Sequence, residues 1–304
     1  MTPELVPGWV TRLQSGFYTV QTQQGVVTCH LRGRLKRTAV RADILAVGDR
    51  VQISLQPEGT GMIEVIEPRQ RALVRLDPTP RGLYQQIMLA NPDQVVLVFS
   101  CANPAPHLRM LDRFLVICEK QQIPAIIVAN KIDLVGLDQA RQIFSAYTSL
   151  SYPILFTSVK QQAGIDALHA LLSGHLSGFA GPSGVGKSSL LNSIQPHLGL
   201  AVREVSEVTS KGRHTTIVRE MFPLDEGGFV VDLPGLKSLA LWDTQPEELD
   251  GYFPELRELV ADCQFNDCNH RSTPGCAVEK AVKEGRVHPE RYESYLRMRF
   301  GDEE

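Results

Sequence analysis

Apolar positions in the first 67 residues recur at short, glycine-broken intervals. Residues 10–20, 26–31, 49–55 and 62–66 carry the pattern of strands, with Gly25, Gly48, Gly59 and Gly61 as punctuation. Four or five strands in so short a span predict a small closed barrel of the OB type. The pattern then changes. After a connecting stretch, 68–90, the apolar runs 94–100, 125–129 and 154–156 alternate with helical periodicity over 108–121 and 137–149. That alternation predicts a doubly wound parallel sheet. A helix over 165–172 ends at Ser173-Gly174 and a strand at 175–180 follows at once. Ser177 and Gly178 weaken that strand's propensity, so its assignment rests on what comes after it. A helix over 188–194, stopped by Pro196, and a hairpin-like pair, 217–223 and 229–231, complete the middle section. Beyond Trp242 a short helix at 278–284 stops at Gly285. A last helix starts at Pro289, with Tyr292, Tyr295, Leu296, Arg299 and Phe300 on one stripe. The boundaries expected are 1–67, 68–243 and 244–304.

Composition adds little to this picture and removes some alternatives. The chain has 304 residues, enough for roughly two to three domains. A net charge of −3 gives no global pull toward nucleic acid, so any such binding must come from a local patch. One patch exists: residues 32–41 hold Arg32, Arg34, Lys36, Arg37 and Arg41. It reads either as a solvated loop or, on a small barrel, as an oligonucleotide-binding loop. The N-terminus has no basic start followed by an apolar core, and no apolar run approaches the ~20 residues of a membrane helix. The expectation is a cytoplasmic protein without membrane association, and a monomer, since no coiled-coil pattern appears. Cys29, Cys101 and Cys118 sit beside apolar runs and read as buried structural thiols.

The chemistry lies in three motifs, arranged in an unusual order. Residues 181–188, Gly181-Pro182-Ser183-Gly184-Val185-Gly186-Lys187-Ser188, match G-x-x-x-x-G-K-S, and Ser189 follows at the start of the helix. Such glycines let main-chain N–H groups converge on phosphate oxygens at a helix N-terminus. Lys187 supplies charge to the β- and γ-phosphates, and Ser188 is a Mg²⁺ ligand candidate. The motif by itself separates neither ATP from GTP nor a kinase from a hydrolase. Asn130-Lys131-Ile132-Asp133 settles the base, because its aspartate accepts from two donors on the guanine edge and adenine has no matching pair. Thr157 and Ser158, after another apolar strand, fit a loop that supports the base. Asp232-Leu233-Pro234-Gly235 comes last. There Asp232 would hold the Mg²⁺ shell through water, and the Gly235 N–H would meet the γ-phosphate. In an ordinary GTPase the phosphate loop leads; here the guanine motif precedes it, which predicts a circularly permuted GTPase domain.

Leu236 stands where small GTPases often carry a water-orienting glutamine, so slow intrinsic turnover is expected. The segment 211–216 offers a replacement. His214 is placed either to orient the attacking water or only to contact a phosphate or partner. Thr215 and Thr216 both remain candidates for the second Mg²⁺ ligand.

Cys263, Cys268, His270 and Cys276 form C-x4-C-x-H-x5-C. Three thiolates and an imidazole make a closed tetrahedral structural zinc set, useful to a module with little core of its own. Buried thiols without metal are the competing reading.

Residues 181–191, His214-Thr215-Thr216, residues 232–236 and the cysteine cluster, in that order behind a β-barrel, resemble the bacterial ribosome-small-subunit-dependent GTPase family, RsgA or YjeQ. The resemblance covers essentially the whole chain. It implies an OB barrel, a permuted P-loop GTPase domain and a small C-terminal zinc-binding α domain. It also implies use of GTP and GDP with Mg²⁺, one structural Zn²⁺, stimulation by the small ribosomal subunit and a role in late maturation of that subunit. Thr273 departs from the acidic residue expected before Pro274 and leaves the ligands intact. The resemblance favours the nucleic-acid reading of residues 32–41. Two rivals stay open: a phosphotransferase using the same loop, which leaves Asn130-Lys131-Ile132-Asp133 unexplained, and a non-catalytic RNA-binding module that only holds nucleotide.

Overall fold

The computed structural model describes residues 4–35, 42–57, 59–77, 84–198, 200, 220–233 and 244–301. Five strands close an N-terminal barrel: β1 (Leu5–Gln14), β2 (Phe17–Thr22), β3 (Gly25–Leu31), β4 (Arg50–Leu55) and β5 (Gly61–Ile66), in the spatial order β1-β2-β3-β5-β4. All neighbours are antiparallel except β3 and β5, and β4 returns to pair with β1. Val10, Val20, Cys29, Val51, Ile53 and Ile63 fill the interior. The expected single strand over 10–20 is two strands. Ser15 and Gly16 both take positive φ, 49° and 83°, and turn the chain back on itself.

The expected connecting stretch 68–90 is instead a hairpin, β6 (Ala72–Asp77) with β7 (Tyr84–Ala90). It joins the barrel to the rest. The Ala90 N–H donates to Val47 O at 2.8 Å, and Gly48 comes so close that a Cβ there would lie 2.1 Å from Ala90 O. Arg69 fixes the same corner with a two-pronged contact to buried Asp49, both distances 2.7 Å.

The central sheet has six strands: β8 (Gln94–Ser100), β9 (Ala125–Asn130), β10 (Ile154–Thr157), β11 (Leu176–Ala180), β12 (Met221–Pro223) and β13 (Phe229–Asp232). Their order is β10-β9-β8-β11-β13-β12, parallel throughout except for the β12–β13 hairpin. β8, β9 and β11 are buried along their whole length, which is why β8 and β9 read as nearly continuous apolar runs and not alternating ones; in β11 the buried Ser177 accepts from Gln94 Nε2 at 2.9 Å. α1 (Leu108–Lys120) and α2 (Leu137–Ile143) cover one face, and α3 (Ile165–Leu172) and α4 (Lys187–Ile194) cover the other. α1 buries Leu111, Phe114, Leu115 and Cys118 at the spacing of a helix face. α2 is shorter than the expected 137–149; the chain tightens into a 3₁₀ turn at Ser145–Tyr147.

The C-terminal module begins with a 3₁₀ segment, Pro246–Tyr252, and a single turn, α5 (Pro254–Arg257), neither of which the periodicity announced. α6 (Ala277–Lys283) and α7 (Pro289–Phe300) follow. α7 buries Arg291, Ser294 and Tyr295; of the expected stripe Tyr292 and Leu296 pack partly buried against the same core and Phe300 is exposed. The module shares its core with the sheet domain: Val116 of α1 packs with Leu249, Phe253, Leu256 and Tyr295. Beneath that contact lies an ionic network. Arg291 Nη1 donates to Asp112 Oδ1 at 2.7 Å, and Arg291 Nε to Glu255 Oε1 at 2.7 Å. Tyr147 and Ser294 hydroxyls also donate to Asp112. Among the described residues no helix is long and apolar enough to cross a membrane.

Candidate functional site

Each of the three nucleotide motifs, where it is described, sits at the carboxyl end of a sheet strand or in the loop that follows it. Asn130 ends β9 beside Ser100 of β8 and Thr157 of β10; Asp232 ends β13 beside Phe179 of β11. In open parallel sheets this rim is where ligands bind.

The phosphate loop leaves β11 at Ala180 and enters α4 at Lys187. Gly181 has φ +145° and Gly186 has φ +98°. A Cβ at Gly181 would lie 2.1 Å from Val98 O, and one at Gly186 2.5 Å from Asn130 Nδ2, so both sites exclude larger residues on space as well as on backbone angle. Gly184 also takes positive φ, and Pro182 and Val185 are buried while Ser183 is exposed. Ser188 and Ser189 lie in the first turn of α4. Lys187 Nζ bonds the loop's own carbonyls, Gly181 O and Pro182 O, each at 2.9 Å. Burial lowers its pKa, and the nearby Asp232 carboxylate opposes that shift.

The guanine motif reaches this loop directly. Asn130 Nδ2 donates to Val185 O at 2.8 Å, and Lys131 Nζ donates to Gly184 O at 2.7 Å and to Asn103 O. Thr157 Oγ1 donates to Asn130 Oδ1 at 3.0 Å, and Ser158 Oγ to Asp133 Oδ1 at 2.6 Å. Residues 130–133 and 181–187 therefore form one continuous rim across 55 residues of sequence. Asn103, in the loop after β8, had no signal in the sequence.

Asp232 tests the fit of a cation. Its Oδ1 is buried and has no hydrogen-bond partner among the described residues. Burial raises its pKa, opposed by the Lys187 charge and the Leu233 N–H. An orphaned oxygen beside the phosphate loop suits the hydration shell of Mg²⁺. His214, Thr215, Thr216 and Gly235, together with Leu236, lie outside the described residues.

The ligand atoms of Cys263, Cys268, His270 and Cys276 all lie within 4.8 Å of one another, and three of the four residues are buried. His270 Nδ1 is 3.6 Å from Cys263 Sγ and 3.5 Å from Cys276 Sγ. With Zn–S of about 2.3 Å and Zn–N of about 2.0 Å, the S–N edge of a tetrahedron is about 3.5 Å. The donor set and its spacing fit one zinc ion. The other cysteines are elsewhere and buried; burial pushes the Cys29 and Cys101 thiols up to about 11 and Cys118 to about 12, as expected of inert thiols.

On the barrel, Arg32 Nη1 pairs with Glu64 Oε2, and Arg34 Nη2 donates to Glu64 O at 3.0 Å. Both side chains remain exposed, 49% for Arg32 and 64% for Arg34. Lys36, Arg37 and Arg41 lie outside the described residues.

A six-stranded sheet in this order, entered so that the guanine motif precedes the phosphate loop, defines a circularly permuted P-loop GTPase. The family comparison agrees. The RsgA GTPase family model matches residues 66–242 and the RsgA N-terminal domain model matches residues 7–63. The chain belongs to the RsgA GTPase family. The small ribosomal subunit biogenesis GTPase RsgA of Gemmatimonas aurantiaca is 44% identical over 296 residues, covering 96% of each chain. That of Moorella thermoacetica is 43% identical over 289 residues, covering 95% of this chain and 94% of its own. Among solved structures, YjeQ from Thermotoga maritima superposes with a TM-score of 0.80 at 36% identity over 98% of each chain. YloQ, a circularly permuted GTPase, gives 0.77 at 31% identity over 98% of this chain and 95% of its own.

Proposed function

We propose that this GTPase acts in biogenesis of the small ribosomal subunit, hydrolysing GTP at the rim while its barrel and metal module grip ribosomal RNA or protein. The observation that carries the reading is the pair of hydrogen bonds from Asn130 and Lys131 to Val185 and Gly184. It sets the guanine motif against the phosphate loop, as binding of one guanine nucleotide requires, and a phosphotransferase reading leaves that motif unexplained. The relatives' names supply the ribosomal direction.

In this reading Asp133 accepts from the guanine edge, Asn130, Lys131, Thr157 and Ser158 brace that pocket, and residues 181–189 cradle the phosphates with Lys187 as the charge. Ser188, Asp232 and one of Thr215 and Thr216 hold Mg²⁺, which neutralises charge on the β- and γ-phosphates when bound. The Gly235 N–H meets the γ-phosphate and His214 orients water. Cys263, Cys268, His270 and Cys276 hold one structural zinc ion. Arg32, Arg34, Lys36, Arg37 and Arg41 contact RNA. The working division is 1–67 for the barrel, 68–243 for the GTPase and 244–304 for the zinc module, in a cytoplasmic monomer. The chain passes from Asp232 to the module within a short span, and the module packs on α1, so loss of γ-phosphate has a direct route to it.

Phosphate release from GTP and from ATP, with and without purified small ribosomal subunits, tests the proposal. We expect GTP-selective release, strong stimulation by subunits, and weakening as salt rises. An acceptor-dependent product would favour the phosphotransferase reading. Release that subunits leave unchanged would defeat the proposal.

A further inference from the structure

The zinc cluster has a partner outside the cysteine loop. His270 is fully buried, with Nδ1 turned to two sulfurs and Nε2 3.2 Å from Asp250 Oδ2. Asp250 belongs to the 3₁₀ segment Pro246–Tyr252, ahead of the first cysteine, on the stretch that carries the chain from the GTPase sheet into the module. Its carboxylate is itself held. Arg299 Nη1 is 3.6 Å from Asp250 Oδ2, and the same guanidinium is 2.6 Å from the hydroxyl oxygen of buried Tyr295. The histidine is braced from its other side, where Tyr292 donates to His270 O at 2.5 Å while His270 takes a positive φ of 58°.

We propose that Asp250 is a positioning residue for the zinc site: it accepts from His270 Nε2–H and so presents Nδ1 to the metal. The inference rests on the zinc reading above and extends it to a residue that no local pattern marks. An imidazole has two tautomers, and a ligand nitrogen must be free of its proton. A carboxylate on Nε2 fixes the proton there, makes Nδ1 more basic, and prevents the ring from turning. Asp250 suits the task because it is mostly buried, with 16% of its side chain exposed, and because the Arg299 guanidinium lies 3.6 Å from the oxygen that faces His270. The placement has a structural consequence. Pro246–Tyr252 packs against both α1 and α7, so the segment that supports the metal ligand also seats the module on the GTPase. Zinc occupancy and docking then reinforce each other through one carboxylate.

Zinc transfer from the full-length protein to an excess of the chromophoric chelator 4-(2-pyridylazo)resorcinol tests this, using wild type, Asp250→Asn and Asp250→Ala. Metal analysis comes first. Zinc below about half an equivalent in the wild type would defeat both the zinc reading and this proposal. With zinc present, we expect transfer from Asp250→Asn about 10- to 100-fold faster than from wild type, and from Asp250→Ala at least as fast. Transfer within about twofold of wild type for both variants would overturn the proposal and leave the zinc site standing. Thermal midpoints separate metal positioning from simple packing. The Asp250→Asn variant should melt below wild type when zinc is bound and together with it after zinc removal; an equal deficit in both states would assign the contact to folding and overturn the proposal. The Asn variant keeps the side-chain volume, so it reports even if the Ala variant fails to fold.

Discussion

Replacing Arg291 with methionine removes one charge from a site where almost no water reaches. The Arg291 side chain is 1% exposed, Asp112 3% and Glu255 9%. The guanidinium makes a two-pronged contact to Glu255 at 2.7 and 3.2 Å, a third bond to Asp112 at 2.7 Å, and lies 4.5 Å over the Phe253 ring. Methionine fills a similar volume but leaves two carboxylates buried without a counter-charge. Asp112 retains its bonds from Tyr147 and Ser294; Glu255 loses both of its contacts to Arg291. Breaking such a buried pair costs about 3–5 kcal/mol, equivalent to roughly two to three and a half decades in an opening equilibrium at 1.4 kcal/mol per decade. The cost falls on the contact between module and GTPase, because Asp112 is on α1 and Glu255 on α5. Hydrogen exchange of the amides at 246–257 and in α1 reads it directly. We expect acceleration by about 100-fold or more in Arg291→Met, a smaller effect in Arg291→Lys, which keeps charge but not the planar fork, and a combined cost below the sum of the single costs when Asp112→Asn is added. Exchange within about tenfold of wild type in both regions would refute the claim that this network docks the module.

Two further outcomes follow from the site and the barrel. Asp232 carries a buried oxygen without a partner among the described residues, and a raised pKa, so Asp232→Asn should stabilise the nucleotide-free protein by about 1 kcal/mol while sharply weakening Mg²⁺-dependent GTP binding; a lower thermal midpoint or unchanged GTP affinity would contradict this. The Arg32 hydrogen bond to Glu64 holds its carboxyl below the ordinary 4.5. A folded pKa below the unfolded one gives stability that is present above pH 4.5 and lost as pH falls through the folded value. Barrel melting should therefore become acid-sensitive below about pH 4.5, and Glu64→Gln should flatten that dependence; identical pH profiles would argue against it.

Much of the chemistry was legible because it is local. The phosphate loop and the guanine motif are short, and the loop's backbone demands are written in Gly181 and Gly186. Strands β8 and β9 were legible for a similar reason, since burial on both faces leaves nearly continuous apolar runs, whereas β11 was legible only from the phosphate loop after it. What sequence concealed depends on contacts between distant residues. The β6–β7 hairpin owes its place to Leu73, Met88 and Leu89 entering the sheet's core and to the close approach of Gly48, neither of which has a periodicity. No local pattern marks Arg291, whose partner Asp112 is 179 residues away. Asp250 is likewise an ordinary acidic residue until the fold sets it against His270. The barrel's basic patch was legible as charge, but not that Glu64 engages Arg32 and Arg34.

The central claim is that the permuted chain builds a single guanine-nucleotide site in which Asp133 reads the base and the phosphate loop holds the tail. Asp133→Asn tests it most directly, because xanthine replaces guanine's exocyclic amine with a carbonyl and so needs a donor where guanine needs an acceptor. With binding of GTP and XTP measured on wild type and variant, the account predicts that preference reverses, GTP weakening and XTP strengthening by at least about tenfold each, about 1.4 kcal/mol apiece. A variant that still prefers GTP, or a wild type that binds ATP as well as GTP, would contradict it.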